Sequence, residues 1–117
     1  MTPAELASRY FERWQAGDFA AVRELLADDA TFQGSLGTAA GADACVEGLR
    51  RMASIVTGIG VEKVFADDED VLTWYEMRTS VAAPVPVANW MHVEAGKIAS
   101  IRAAFDARGF APPAQRG

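Results

Sequence analysis

A helix, a Gly-Asp corner, a second helix and a strand follow one another without a spacer, and this succession limits the possible folds more than any other feature. The segment is residues 14–32, WQAGDFAAVRELLADDATF. Gly17 suits the position just past a helix end, because glycine adopts the left-handed conformation there at little cost. Asp18 can cap the next helix, which ends near Ala27, and Thr31-Phe32 begin a β-compatible run. This order predicts two walls of a cup and the first strand of the sheet that closes it.

Two more helices are predicted around this unit. Thr2-Pro3-Ala4-Glu5 forms a capping box, and an aromatic stripe follows it at helical spacing. A third helix is predicted from about Asp43 to Val56, where Gly58 and Gly60 stop it. Residues 33–41 carry three glycines and no charge, which predicts a flexible connection near the mouth of the cup.

The second half of the chain has the shorter period of strands. The pattern predicts strands at 59–66, 71–79, 87–94 and 97–105. Ala95-Gly96 is read as a tight hairpin turn, whereas Ala83–Pro86 is read as a loop or an edge. Three helices followed by antiparallel strands predict an α+β domain with its helices on one face of a curved sheet. We expect a single domain at 1–110 and a partly ordered tail at 111–117.

Composition excludes several kinds of partner. The chain has 117 residues, a formal charge of −5 and a pI of about 4.7, which argues against nucleic acid and anionic membranes. Cys45 is the single cysteine, so no internal disulfide forms. Neither a leader peptide nor an apolar run of about 20 residues is visible. A cytoplasmic domain is expected.

Metal and cofactor motifs are also missing from the sequence. His92 and Cys45 lack ligand spacing, and the DDED run at 67–70 is better explained as a solvated acidic turn. No glycine-rich phosphate loop and no nucleophile elbow is present. We therefore expect no metal and no cofactor, and interpret His92 as a surface or interface residue.

Two runs carry a family resemblance. GDFAAVRELLADDATF and the closing hairpin GKIASIRAAFD resemble the nuclear transport factor 2-like superfamily, and more closely its SnoaL-like branch of polyketide cyclases and steroid Δ-isomerases. The resemblance extends from about Leu6 to Asp106 and implies a cone-shaped α+β barrel with an apolar pocket between the helices and the concave sheet. That superfamily includes isomerases, cyclases, epoxide hydrolases, dehydratases and binding proteins, so the fold alone does not determine activity.

The resemblance implies three candidate catalytic residues. Tyr10 matches the pocket tyrosine of the isomerases, Asn89 falls near their second hydrogen-bond donor, and Asp106 matches the catalytic aspartate of the cyclases and epoxide hydrolases. The isomerase base falls on Gly34 or beside Gln33, and neither can act as a base. Each candidate also has a structural interpretation: Tyr10 as a core aromatic, Asn89 as a solvent-facing strand residue and Asp106 as a strand end that a one-residue slip turns outward.

Ligand-wall candidates are large apolar side chains, which equally suit a core: Trp14, Phe32, Met52, Trp74, Tyr75, Met91 and Phe105. Two functions remain open. In the first, a cofactor-independent isomerase, cyclase or epoxide hydrolase uses Asp106 as a base whose pKa is raised by apolar walls. In the second, the same cup binds a small apolar ligand, or a partner, without turnover. A homodimer through the convex face that carries Trp74 or Trp90 is also expected.

Overall fold

The computed structural model describes residues 1–110; the predicted tail at 111–117 lies outside the described residues. The described chain contains three α-helices and six β-strands, followed by a short 3₁₀ turn at Arg108–Phe110. The helices are α1 (Pro3–Gln15), α2 (Phe19–Leu25) and α3 (Ala42–Ala53). The strands are β1 (Leu26–Gly34), β2 (Gly37–Ala40), β3 (Val56–Ala66), β4 (Asp70–Thr79), β5 (Val85–Glu94) and β6 (Lys97–Ala104). The α+β prediction is confirmed.

Local hydrogen bonds cap the start of α1, and local geometry sets the α1–α2 corner, both as predicted. The Glu5 N–H donates to Thr2 Oγ1 at 3.1 Å, and the Thr2 N–H donates to Glu5 Oε1 at 2.9 Å, which completes the capping box. Gly17 has a φ of 74°, in the left-handed region that favours glycine. The Ala21 N–H donates to Asp18 Oδ1 at 3.1 Å and so caps α2. The corner directs α2 back towards the start of β1.

The six strands form one unclosed, curved, mixed sheet in the order β2-β1-β6-β5-β4-β3. The four strands predicted in the second half of the chain pair antiparallel with their neighbours, β3 with β4, β4 with β5, and β5 with β6. The parallel pairing of β1 with β6 was not predicted. It brings the strand that follows α2 into the middle of the sheet, so that the early and late parts of the chain form one surface.

Several predicted boundaries are wrong. Strand β1 begins at Leu26, directly after α2, and not at Thr31. Residues 33–41 contain the turn of a β1–β2 hairpin, with Gly34 opposite Gly37, instead of an irregular connection. Val56 begins β3 and does not continue α3. Gly58 leaves room for a neighbour: an added Cβ there would lie 2.9 Å from the Arg78 guanidinium on the paired strand. Strand β5 also starts earlier than predicted, at Val85.

Side chains on the central strands alternate between the two faces of the sheet, as strand geometry requires. On β4, Tyr75 and Met77 are buried under the helices, whereas Leu72 and Trp74 are exposed on the opposite, outer face.

No helix within residues 1–110 has both the length and the apolar character needed to cross a membrane. The cytoplasmic location stays a prediction.

Candidate functional site

A cavity of about 390 Å³ lies between α1, α3 and the inner face of the sheet. Its deep walls include the buried side chains of Tyr10, Trp14 and Leu49. Its exposed lining comes from Arg51 and from the β1–β2 turn at residues 35–38. The mouth of the cavity is therefore formed by the turn of this hairpin and the C-terminal end of α3.

One row of residues across the sheet includes an alanine and a glycine that line the cavity. Strand pairing places Thr73, Asn89, Ala103 and Gly34 side by side on four consecutive strands. Ala103 and Gly34 leave space next to Asn89 that larger residues would fill. This row requires the parallel β1–β6 pairing, so its members could not be grouped from local sequence patterns.

Gly34 has a further steric role. A Cβ built at this position would lie 2.7 Å from the Phe32 ring, closer than real side-chain contacts allow. Phe32 is half-buried and also lines the cavity. Its ring therefore occupies the space into which a side chain at position 34, where the resemblance implied a base, would project.

Asn89 is the buried polar residue of this wall. It is 3% exposed, and its Oδ1 has no hydrogen-bond partner among the described residues. A buried carbonyl oxygen without a donor is unfavourable by about 1–3 kcal/mol. The terminal torsion of an asparagine is broad and roughly two-fold, so a half-turn of the amide exchanges the positions of the oxygen and the NH₂ group. Asn89 can therefore accept from a ligand and also donate to it.

Two tyrosines stand in the same apolar wall. Burial raises the pKa of Tyr10 well above its ordinary value, with smaller contributions from Tyr75 and Cys45. Burial also raises the pKa of Tyr75. Phe11 packs edge-on against both rings, at centroid distances of 5.1 and 5.2 Å. Both hydroxyls consequently stay protonated and serve as hydrogen-bond groups, not as bases.

Hydrogen bonding holds the remaining wall in place. Trp14 Nε1 donates to the Leu49 carbonyl at 3.0 Å and joins α1 to α3. The Cys45 thiol, whose pKa is raised by burial, donates to the Ala30 carbonyl at 3.5 Å. Its pKa shift favours the thiol over the nucleophilic thiolate.

Most of the residues predicted for the site line this cavity: Tyr10, Asn89, Trp14, Phe32, Met52, Tyr75 and Phe105. Their roles stay predictions. Two placements were wrong. Trp74 lies on the outer face and is 46% exposed, because strand alternation turns it away from Tyr75. Met91 is fully buried in the core, outside the cavity lining.

The placement of Asp106 as a base in the cup is also wrong. Its side chain is 51% exposed and pairs with Arg108 at 2.6 Å, and Phe105 instead faces the cavity. The Arg108 N–H donates to Asp106 Oδ1 at 3.1 Å, so the carboxylate caps the 3₁₀ turn. The hydrogen bonds from the Arg108 side chain and backbone lower the pKa of Asp106 to about 2. The raised pKa expected from the sequence is thus reversed in direction.

The cavity has fewer ionisable side chains in its described lining than is usual for an acid–base site. None of the described residues that line it is Asp, Glu or His, and Arg51 is the single charged residue among them. Arg51 was not predicted from the sequence; residues 33–41 were placed near the mouth, but the hairpin turn that they form was not predicted. A basic residue in the last turn of a helix suggests nothing more than interaction with the helix dipole until tertiary structure places it at a mouth.

His92 belongs to a separate network on the outer face. Asp70 Oδ1 accepts from Trp90 Nε1 at 2.8 Å and lies 2.9 Å from His92 Nδ1. The hydrogen bond to Asp70 raises the pKa of His92, while those from Trp90 and His92 lower the pKa of Asp70. Glu69 comes within 4.8 Å of this pair. The hydrogen bonds account for the arrangement of Asp70 and His92 without a metal ion.

Large apolar side chains form a band across the same outer face. Phe65, Leu72 and Trp90 lie opposite one another on three paired strands, and Trp74 lies one pleat away on β4. All four are at least 40% exposed. Cations flank the band, with Lys63 over the Phe65 ring at 5.5 Å and Arg102 over the Trp90 ring at 5.0 Å. We call these four residues the outer apolar band.

Comparison with known proteins matches the chain to one family model and to several solved folds. The model described as the SnoaL-like domain matches residues 7–101. A search of curated proteins finds no match. A nuclear transport factor 2-like protein from Cytophaga hutchinsonii is 23% identical, with a TM-score of 0.84 over 94% of this chain and 95% of that one.

Two further structures have names that refer to enzymes. An LEH-like epoxide hydrolase from M. tuberculosis is 23% identical, with a TM-score of 0.74 over 88% of this chain and 81% of its own. A protein from Sinorhizobium meliloti proposed to be a polyketide cyclase is 17% identical, with a TM-score of 0.78 over 85% and 93% of the two chains. At these identities the likeness establishes the fold.

Proposed function

The chain belongs to the SnoaL-like domain family, and we propose that it binds a small, mainly apolar molecule that carries a hydroxyl or similar polar group. The observation that carries this proposal is the unpaired Oδ1 of Asn89, buried in the wall of a mainly apolar cavity. A ligand hydroxyl can donate to this oxygen and accept from the amide NH₂ or from a tyrosine. Binding then removes the penalty of the unpaired group.

The walls suit an aromatic or alicyclic body. Trp14, Phe32 and Phe105 supply aromatic surface, and Met52 supplies a flexible thioether that adapts to irregular shapes. A volume of about 390 Å³ is near the lower end of the roughly 300–1,000 Å³ range of small-molecule pockets. We infer a ligand with one or two rings.

Catalysis is the weaker alternative. Cofactor-independent isomerisation, cyclisation and epoxide opening all require a group that moves a proton. Tyr10 and Asn89 could still stabilise a developing oxyanion. However, Asp106 faces away from the cavity, and no other carboxylate or imidazole appears among its described lining residues. The structure thus supports binding better than turnover.

Fluorescence titration with naphthol, a neutral two-ring hydroxyl compound, tests the proposal. Ala103→Leu fills the space beside Asn89, whereas Ala104→Leu adds the same bulk on the opposite, exposed side of β6. We expect naphthol to bind the wild type and Ala104→Leu with the same affinity, and to bind Ala103→Leu at least tenfold more weakly. Equal binding to all three proteins would place the ligand elsewhere and refute the proposal. Measuring whether the wild type hydrolyses naphthalene oxide, an epoxide of the same size, tests the epoxide-opening form of the catalytic alternative.

We further propose that the outer apolar band is a homodimer interface. Exposed aromatic and aliphatic residues of this size seldom remain contiguous in water on a monomer. Phe65 is 63% exposed and Trp74 46% exposed, and a self-complementary two-fold contact would cover both copies of the band at once.

A further inference from the structure

We propose that the natural ligand is a monoanion with its charged group, a carboxylate or an equivalent oxyanion, at Arg51 and its hydroxyl at Asn89. This inference rests on the proposed function of the cavity and specifies the chemical class of its ligand. It follows from the positions of two polar side chains that line the same cavity, Arg51 exposed at the mouth and Asn89 buried in the sheet wall.

Arg51 is available for an external anion. Within the described residues it has no acidic side chain within ion-pair distance, whereas Arg23 and Arg78 pair with acidic side chains and Arg50 lies 3.7 Å from Glu47. Arg9 and Arg102 also lack an acidic partner within ion-pair distance among the described residues, but of these three arginines Arg51 alone lines the cavity. Its planar guanidinium suits a carboxylate, because two parallel N–H groups match the two oxygens.

The surroundings of Arg51 favour a single negative charge. No second cationic side chain lines the cavity among the described residues, so a dianion would keep one charge uncompensated near the mouth. Ser35 and Thr38 also line the cavity, exposed on the hairpin side of the mouth, and their hydroxyls can donate to a polar group of a ligand. A neutral acceptor would gain less from Arg51 than a carboxylate, because a hydrogen bond between two ionised groups is the stronger one.

Asn89, in the sheet wall, sets the other end of the ligand. Asn89 is almost completely buried. Of its two neighbours in the row, Ala103 is too small to reach it and Thr73 makes no hydrogen bond to its Oδ1. A charged group beside Asn89 would lose its hydration without meeting a countercharge. A hydroxyl loses little hydration free energy and gains a hydrogen bond to the unpaired oxygen. The ligand is therefore oriented, with its hydroxyl inward and its anion outward.

Three probes of one ring system test this orientation: hydroxynaphthoate with its two groups at opposite ends, naphthoate without the hydroxyl, and naphthol without the carboxylate. They are titrated against the wild-type chain, Arg51→Gln, Asn89→Leu and the control Arg50→Gln. Arg50 is the neighbour of Arg51 on α3 but lies over the Phe19 ring, outside the cavity lining. The comparison thus separates a local contact from a general effect of removing one positive charge.

We expect hydroxynaphthoate to bind the wild type most tightly and naphthol roughly three- to tenfold more weakly, as for one partly exposed charged hydrogen bond. Arg51→Gln should remove this difference without changing naphthol affinity, while Arg50→Gln should keep it. Asn89→Leu should instead remove the advantage of hydroxynaphthoate over naphthoate. Added salt should weaken the binding of the two carboxylate probes and leave the binding of naphthol unchanged.

Other outcomes overturn the inference in distinguishable ways. If naphthol binds in the cavity as tightly as hydroxynaphthoate, or if Arg50→Gln and Arg51→Gln behave alike, the monoanion assignment fails and the binding function stands. If the carboxylate probes bind equally well to Ala103→Leu, the anion site lies outside the cavity and the inference fails. If none of the three probes binds the wild type, the inference and the proposed function both fail.

Discussion

Replacing Asn89 with leucine should make the ligand-free protein more stable. Asn89 is 3% exposed and keeps an unpaired carbonyl oxygen, a penalty of about 1–3 kcal/mol that an apolar side chain of similar volume removes. Some hydration of the cavity reduces this gain, so we expect the free energy of unfolding to rise by about 1–2 kcal/mol. With an unfolding entropy of about 2.1 cal/mol/K per residue, the melting temperature rises by about 4–8 °C.

The same substitution should weaken binding of hydroxylated ligands. The hydrogen bond lost to the ligand is worth about 0.5–1.5 kcal/mol, or roughly two- to tenfold in affinity. Higher stability with lower affinity is the signature of a group retained for binding at a cost in folding. A structural asparagine would produce the opposite change in stability.

Urea denaturation and thermal melts of ligand-free protein measure the stability change, and naphthol titration measures the affinity. Thr73→Val is the matched control, because Thr73 is buried beside Asn89 on the paired strand and has no buried atom without a partner. It should give no comparable gain. An Asn89→Leu protein that is less stable than wild type by 1 kcal/mol or more would show that the amide is already satisfied, and the binding argument would lose its basis.

Three further predictions concern residues outside the cavity. Asp106→Asn should leave ligand binding unchanged, and NMR titration of wild-type Asp106 should give a pKa of about 2; because this pKa is lowered, its small, salt-screened contribution to stability is present above the ordinary value near 3.8 and disappears as the pH falls towards 2. His92→Gln should reduce the unfolding free energy more at about pH 5.5 than at pH 8: the raised pKa of His92 means that its pairing with Asp70, supported by nearby Glu69 and Glu94, stabilises the fold below its ordinary pKa and is lost as the pH rises through the raised one. Sedimentation should give a dimer for the wild type and a monomer for a Trp74→Glu variant, whereas a wild type that stays at its 12.5 kDa chain mass at micromolar concentration would exclude the interface.

Features set by neighbouring residues could be predicted from the sequence. The capping box at Thr2, the corner at Gly17 and the cap at Asp18 were all predicted, since their partners lie within a few residues. The Ala95-Gly96 turn was predicted for the same reason; both residues have positive φ, 50° and 77°, as a tight hairpin needs.

Features that depend on distant pairing could not be predicted. The row that contains Asn89 and Gly34 requires β1 to lie parallel to β6, about seventy residues later in the chain. The orientation of Asp106 depends on where β6 ends, and a displacement of one residue reverses the face. The family resemblance predicted the cup and most of its wall but could not establish the direction of this single side chain.

The contact between Phe32 and Gly34 restricts the order in which this site could acquire acid–base chemistry. A carboxylate at position 34 would project towards the space beside Asn89, but its Cβ would come within 2.7 Å of the Phe32 ring. Substitution at Gly34 alone must therefore displace the ring and alter the wall before any activity can appear. Replacing Phe32 with a smaller residue first enlarges the cavity and permits the substitution of Gly34. Laboratory evolution towards a proton-transfer enzyme should therefore accumulate a smaller residue at position 32 before, or together with, an acid at position 34.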